Sequence, residues 1–267
     1  MKSSPLSKKV ALITGAASGI GHALSIRLAN EGAIVYACDL DQATMSDLGK
    51  KGIHTRVLDV TSPKDWKNTF SEIVRDHEGL DFLFNNAAVT LIAEAASLSP
   101  NHWRHLLDVN VRGVIHSLTT IYPHMVKRGH GHILNTSSLA AATGYATATP
   151  YTCSKGYLLG LHKSLEPEAK RHGIRVSLIC PGYVQTKIFR EDCIHHDEPK
   201  EVLKSAPLKA ITAEQAADHI VKGVLKKKRY IIFPFTTKFL WWLAHWFPPA
   251  MVPFQKKLLA PFREGKS

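Results

Sequence analysis

Short apolar runs alternate with amphipathic stretches along most of this chain. The runs at 10–14, 33–39, 54–59, 82–85, 131–137, 175–180 and 229–233 have the length and apolar character of buried strands. Between them the spacing of apolar positions predicts helices over about 19–31, 41–50, 63–78, 99–128, 150–172 and 213–227. Ser62-Pro63, Ser99-Pro100 and Thr149-Pro150 each set a capping hydroxyl before a proline at the first helical position. Strand and helix in regular alternation predict an α/β fold, a doubly wound parallel sheet of about seven strands covered by helices on both faces. No internal repeat interrupts it. Residues 1–233 read as one catalytic domain with a loop at about 187–210, and residues 234–267 as a C-terminal aromatic and basic helical appendage.

Thr14-Gly-Ala-Ala-Ser-Gly-Ile-Gly21 follows the first strand directly. Glycines there let the backbone turn sharply and approach a pyrophosphate, which the N-terminus of the next helix attracts. Far downstream stands Tyr151-Thr-Cys-Ser-Lys155. Tyrosine and lysine four apart on a helix share one face, and an ammonium beside a phenol is expected to lower its ordinary value near 10. The spacing TGxxxGxG together with YxxxK resembles the short-chain dehydrogenase/reductase family, which implies a single-domain Rossmann-like fold and hydride transfer with a nicotinamide coenzyme.

That resemblance implies four catalytic positions. Tyr151 is the proton acceptor or donor, and Lys155 binds the nicotinamide ribose. Ser138, with Ser137 as the neighbouring alternative, hydrogen-bonds the reacting oxygen. Asn110 supports a water chain to the lysine. It also implies cofactor contacts at Gly15, Ser18, Gly19, Ile20, Gly21, Asp59, Val60, Asn86, Pro181, Gly182, Val184 and Thr186. Asn85-Asn86-Ala87-Ala88 resembles the family segment NNAG, except that alanine replaces glycine, a change that strains the turn if φ there is positive. Asp39 closes the second strand, 18 residues after Gly21, close to the spacing at which a carboxylate accepts from an adenosine ribose. Its charge repels a 2′-phosphate, so NAD is expected, with NADP the alternative.

Tyr145, Tyr183, Ile188 and Phe189 are expected to line an apolar substrate pocket suited to a lipophilic alcohol or ketone such as a steroid, retinoid or long-chain alcohol. His195 and His196 have the bland reading of solvent-facing side chains. A protein that binds NAD(H) as a sensor, without turnover, is the competing function. A serine hydrolase is excluded by context, because Ser138 lacks a GxSxG elbow.

Composition adds a location for the charge. The formal net charge is +12, yet residues 222–267 hold ten Lys or Arg against Glu264 alone. The rest is nearly balanced and carries no nucleic-acid motif, so nucleic acid is not an expected partner. Cys38, Cys153, Cys180 and Cys193 lack ligand spacing, so reduced thiols and no metal are expected. Lysines near the N-terminus precede an apolar run too short for a signal peptide, so a cytoplasmic location is expected. Three of five tryptophans fall within 241–246, among prolines and basic residues. Two readings stay open for residues 226–257: peripheral contact with a membrane face, or packing in an interface. Family habit implies a homodimer or homotetramer joined through the helices near 99–128 and 150–172.

Overall fold

The structure, a computed structural model, describes residues 4–186, residue 188 and residues 210–264, with residues 261–264 as backbone alone. Its strands are β1 (Val10–Thr14), β2 (Ile34–Asp39), β3 (His54–Val57), β4 (Phe82–Asn85), β5 (Gly131–Thr136), β6 (Ile174–Pro181) and β7 (Tyr230–Phe233). They pair in parallel, in the order β3-β2-β1-β4-β5-β6-β7. The helices are α1 (Gly19–Asn30), α2 (Ser46–Gly49), α3 (Pro63–His77), α4 (Pro100–Leu107), α5 (Gly113–Arg128), α6 (Ala140–Thr143), α7 (Thr149–Arg171), α8 (Ala213–Leu225), α9 (Phe235–Trp246) and α10 (Val252–Glu264).

Alternation along the strands divides the core. Ile13, Phe84, Leu134 and Ile179 face Leu24 and Leu28 of α1 and Ile220 and Val224 of α8. On the other face Leu12, Leu83, Ile133 and Val176 pack with Ile73 of α3, Ile121 of α5 and Leu165 of α7. Each such side chain contributes about 1.5–3 kcal/mol when fully buried. Both faces are covered, which explains why the central strands read as continuous apolar runs.

Several expectations change in detail. The helix expected over 41–50 is a 3₁₀ turn (Ala43–Met45) followed by the single turn α2, because the Asp41 carboxylate accepts from the backbone of Ala43 and Thr44. The long helix expected over 99–128 is α4 and α5 joined by a π-helical turn, Asp108–Arg112. Ser62 does cap α3, accepting from the Asp65 amide. Thr149 is not a cap: Ala148 precedes α7, and Thr149 is its first residue with Pro150 second. Helix α6 was not foreseen. Ala88 lies outside the positive-φ region, so alanine in place of glycine adds no backbone strain.

The tail is packed against the body rather than hung from it. Thr237 and Ala244 of α9, Met251 of the following 3₁₀ turn and Leu258 of α10 are buried. No helix among the described residues is long and apolar enough to cross a membrane. Replacing Leu258 by alanine is expected to cost the whole protein about 2–5 kcal/mol. The check is a lower urea midpoint with an unchanged slope. A midpoint equal to wild type would mean that the tail unfolds independently of the sheet.

Candidate active site

The strand order reverses between β1 and β4, and at such a reversal the loops leaving the carboxyl ends diverge and open a crevice. A cavity of about 460 Å³ occupies it. Gly15 (φ +71°) and Gly19 (φ +55°) turn the chain between β1 and α1. A Cβ on Gly15 would lie 2.8 Å from Ala87 Cα, and one on Gly21 would overlap the Gly15 carbonyl. Ser18 precedes α1 without a side-chain capping bond, and the first turn holds no acidic residue. Amides at that helix end therefore face a cavity bordered by Ser18, Gly19 and Ile20, an arrangement that fits a pyrophosphate. Gly21 stands behind the turn rather than on the cavity wall.

Asp39 forms the far end. Its carboxylate accepts from the Ala17 amide at 2.9 Å and the Leu40 amide at 2.7 Å, tying the glycine turn to β2. Leu40, Asp41 and Thr44 border it, and no Lys or Arg does among the described residues. Asp59 and Val60 line the adjacent wall. The Asp59 carboxylate accepts from the Thr61 amide and hydroxyl, and the Val60 carbonyl from the Trp66 indole at 3.0 Å. Asn86 donates to the Thr14 carbonyl and accepts from the Thr136 hydroxyl, joining the ends of β1 and β5. Pro181, Gly182, Val184 and Thr186 close the other side. The residues present thus fit a nicotinamide dinucleotide from its adenosine end to its nicotinamide end.

Tyr151, Lys155 and Ser138 meet at the latter end. Ser138 hydrogen-bonds the Tyr151 phenol, whereas Ser137 donates to the Lys155 carbonyl at 2.8 Å and is buried. Both serines border the cavity, but the Ser137 hydroxyl is turned to the backbone of α7 and the Ser138 hydroxyl to the Tyr151 phenol. Lys155 Nζ lies 5.5 Å from the Tyr151 ring centre and donates to the Thr136 carbonyl at 2.9 Å. The charges differ from the sequence expectation. Burial pushes the Tyr151 phenol up to about 12, against the Ser138 hydrogen bond that lowers it. Burial also pushes Lys155 down to about 8. Desolvation disfavours the charged form of each group and is the largest cause of both shifts.

Asn110 lies one layer out, in the π-helical turn. Its amide holds both the amide and carbonyl of Val89 at 2.9 Å and donates to Ser154 Oγ, which donates to the Tyr151 carbonyl. It therefore fixes the strand β4 exit to the helix bearing Tyr151. A second hollow of about 30 Å³ opens beside Ser138 and Tyr151, bordered by Tyr145 and Tyr183. Their rings stand 6.4 Å apart, and burial raises the Tyr183 phenol well above its ordinary value. Ile188 packs with Leu106, Ala140, Ala148 and Tyr151. Phe189, His195 and His196 lie outside the described residues. Sequence reasoning missed Thr90 and Phe254 on the second hollow, and His105 on the first. No motif marks them: Thr90 stands two residues beyond the Asn85–Ala88 segment, while His105 and Phe254 reach the site from α4 and α10.

A family model described as short chain dehydrogenase matches residues 9–195. Dehydrogenase/reductase SDR family member 6 of Rattus norvegicus is 35% identical over 202 residues, 75% of this chain and 81% of that protein. A short chain dehydrogenase/reductase from Burkholderia phymatum, solved in complex with NAD, superposes with a TM-score of 0.77 at 25% identity, covering 87% of this chain and 90% of that one. A short chain dehydrogenase from Burkholderia cenocepacia, solved with NADP, has the same fold at a TM-score of 0.79 and 21% identity, over 94% and 98% of the two chains. With that breadth of match, the chain belongs to the short-chain dehydrogenase/reductase family and is an NAD(P)-dependent oxidoreductase acting on CH–OH groups.

Proposed function

We propose that this enzyme interconverts a lipophilic secondary alcohol and its carbonyl with NAD as coenzyme. The observation that carries the reading is the convergence of Ser138, Tyr151 and Lys155 at one end of a crevice whose other end holds Asp39 without a basic neighbour. A 2′-phosphate at that end would meet the Asp39 carboxylate, and no Lys or Arg is among the described residues that border that end. The apolar substrate side, with Tyr145, Tyr183 and Ile188, favours a lipophilic group over a polyol.

When bound, the nicotinamide supplies the hydride acceptor or donor and, in its oxidised form, a positive ring. The side chains supply the proton chemistry. Tyr151 Oη takes the alcohol proton during oxidation and returns it during reduction. Ser138 donates to the substrate oxygen and stabilises negative charge as it develops. Lys155 orients the ribose and holds positive charge next to the phenol. Burial pushes the Tyr151 phenol up to about 12, so the proton route requires positive charge beside it to stabilise the phenolate. Asn110 keeps β4 and α7 in register and supports proton relay towards Lys155.

The tail supports a second part of the reading, contact with an anionic membrane face. Phe235, Phe239, Trp242, Trp246 and Phe247 are exposed on or just after α9. Lys222, Lys226, Lys228 and Lys238 border an open groove beside Trp241, Trp242 and Trp246. Exposed aromatics at headgroup depth, with lysines against acidic lipid, are the chemistry of interfacial helices. Leu107, Ile115 and Tyr157, exposed on α4, α5 and α7, support a homodimer or homotetramer joined through those helices.

Three measurements check this. Steady-state oxidation of lipophilic secondary alcohols should show a lower KM for NAD than for NADP, and Tyr151→Phe should lower kcat at least ~1000-fold while retaining NADH binding. Tighter use of NADP overturns the coenzyme assignment; turnover surviving in the Phe variant overturns the proton route. Lys155→Met should be more stable than wild type at pH 7, by on the order of 2 kcal/mol. A lysine depressed to about 8 in the folded state costs stability below that pH and loses its penalty as pH rises to its unfolded value near 10.5. The variant's advantage must therefore shrink between pH 8 and 10.5 in denaturant titrations. Finally, the protein should sediment with phosphatidylglycerol vesicles at low salt and be released at high salt, and full recovery in the supernatant at low salt excludes the membrane contact.

A further inference from the structure

Helix α10 reaches back from the end of the chain to the catalytic tyrosine. Phe254 borders, together with Tyr145 and Tyr183, the small hollow that Ser138 and Tyr151 also line. Its neighbour Gln255 grips the segment after α6 with both ends of its amide. Nε2 donates to the Thr143 carbonyl at 2.6 Å, and Oε1 accepts from the Ala146 amide at 2.8 Å. Between those two anchors lies Gly144 (φ +70°), where a Cβ would press on Gln255 Nε2 at 3.2 Å. Tyr145 occupies the same gripped segment. At the other end of the tail, Thr237 of α9 is buried against Gly182, and a Cβ on Gly182 would overlap the threonine hydroxyl. The tail is thus keyed to two segments that border the reacting groups.

We infer that Phe254 is a specificity-determining residue, the wall that limits substrate size beside the reacting carbon, and that Gln255 is the positioning residue that holds this wall. The inference rests on Ser138 and Tyr151 marking where the substrate oxygen binds, and it narrows the substrate class. A hollow of about 30 Å³ accepts a small apolar substituent and rejects a bulky one on that side. The larger part of a lipophilic substrate must leave in another direction. A methylene gained or lost in an apolar pocket changes relative rates by about 10–200-fold, so a whole phenyl ring at this position is large enough to set the preference.

The test is a series of secondary alcohols with one constant substituent and one growing from methyl to phenyl, with kcat and KM measured separately. Phe254→Ala should raise the ratio of kcat/KM for the phenyl over the methyl member at least ~10-fold, chiefly by lowering KM for the larger one. Phe254→Leu should fall between alanine and wild type. Gln255→Ala should shift the ratio the same way with an unchanged dissociation constant for NADH, and Gln255→Glu, which keeps the acceptor but loses the donor to Thr143, should do so partly. A ratio unchanged across these variants overturns the inference, as does an equal loss for all members, which would mark Phe254 as a packing residue only. If wild type oxidises no member, the reaction assigned to Tyr151 fails. The wall is then read from displacement or quenching of bound NADH fluorescence by the matching ketones. The same size-dependent gain in Phe254→Ala must appear there for the inference to stand.

Discussion

A close backbone approach organises the crevice: the β1–α1 turn lies so near the β4 exit that any side chain at Gly15 would crowd Ala87, and any at Gly21 would strike the Gly15 carbonyl. Because neither position can hold a Cβ, the amides of the turn and of the first α1 residues come to the surface of the cavity unshielded. Thr14 reinforces the same contact, its hydroxyl accepting from the amides of Asn86 and Ala87. Asn86 then carries the link across to β5. The dinucleotide crevice, the ends of three central strands and the start of α1 are thereby one rigid assembly. Ser138 and Tyr151 acquire their placement from it, through β5 and the helix packed behind.

Electrostatics and burial oppose each other at the catalytic end. A phenol serves as base only if its anion is stabilised, yet Tyr151 and Lys155 are both withdrawn from water, and each is displaced towards its neutral form. The hydrogen bond from Lys155 to the Thr136 carbonyl and that between Ser138 and Tyr151 offset part of this cost. The arrangement suits a site completed by its coenzyme, because a low-dielectric pocket magnifies the effect of a charge that arrives in it.

How much of this was legible in the sequence follows from the range of the forces involved. Strand periods, the glycine turn and the Tyr151–Lys155 spacing are local, so seven strands and the crevice residues could be read from short windows. The division between Ser137 and Ser138 was not local: it depends on which hydroxyl faces α7, and only the packed helix decides that. The break in the long helix at Asp108–Arg112 arises where Asn110 turns its amide to Val89, a bond between distant segments invisible to periodicity. The direction of the Tyr151 shift failed for the same reason. Proximity to a cation is a sequence inference, but the depth of burial that overrides it is a property of the whole fold.

The tail illustrates the limit most plainly, and it changes how the molecule should be divided. Composition set residues 234–267 apart as aromatic and basic, which invites reading them as an addition to a finished enzyme. Yet Thr237 fills the space above Gly182, and Gln255 satisfies backbone groups of Thr143 and Ala146. Without the tail those backbone groups lose their partners and the hollow beside Tyr151 loses a wall. One face of α9 thus meets the catalytic body while the other presents exposed Phe239, Trp242 and Trp246. Helices α9 and α10 therefore carry both the exposed aromatics and, at Phe254, one border of the hollow beside Tyr151, so the tail belongs to the architecture of the site rather than to an addition beyond it.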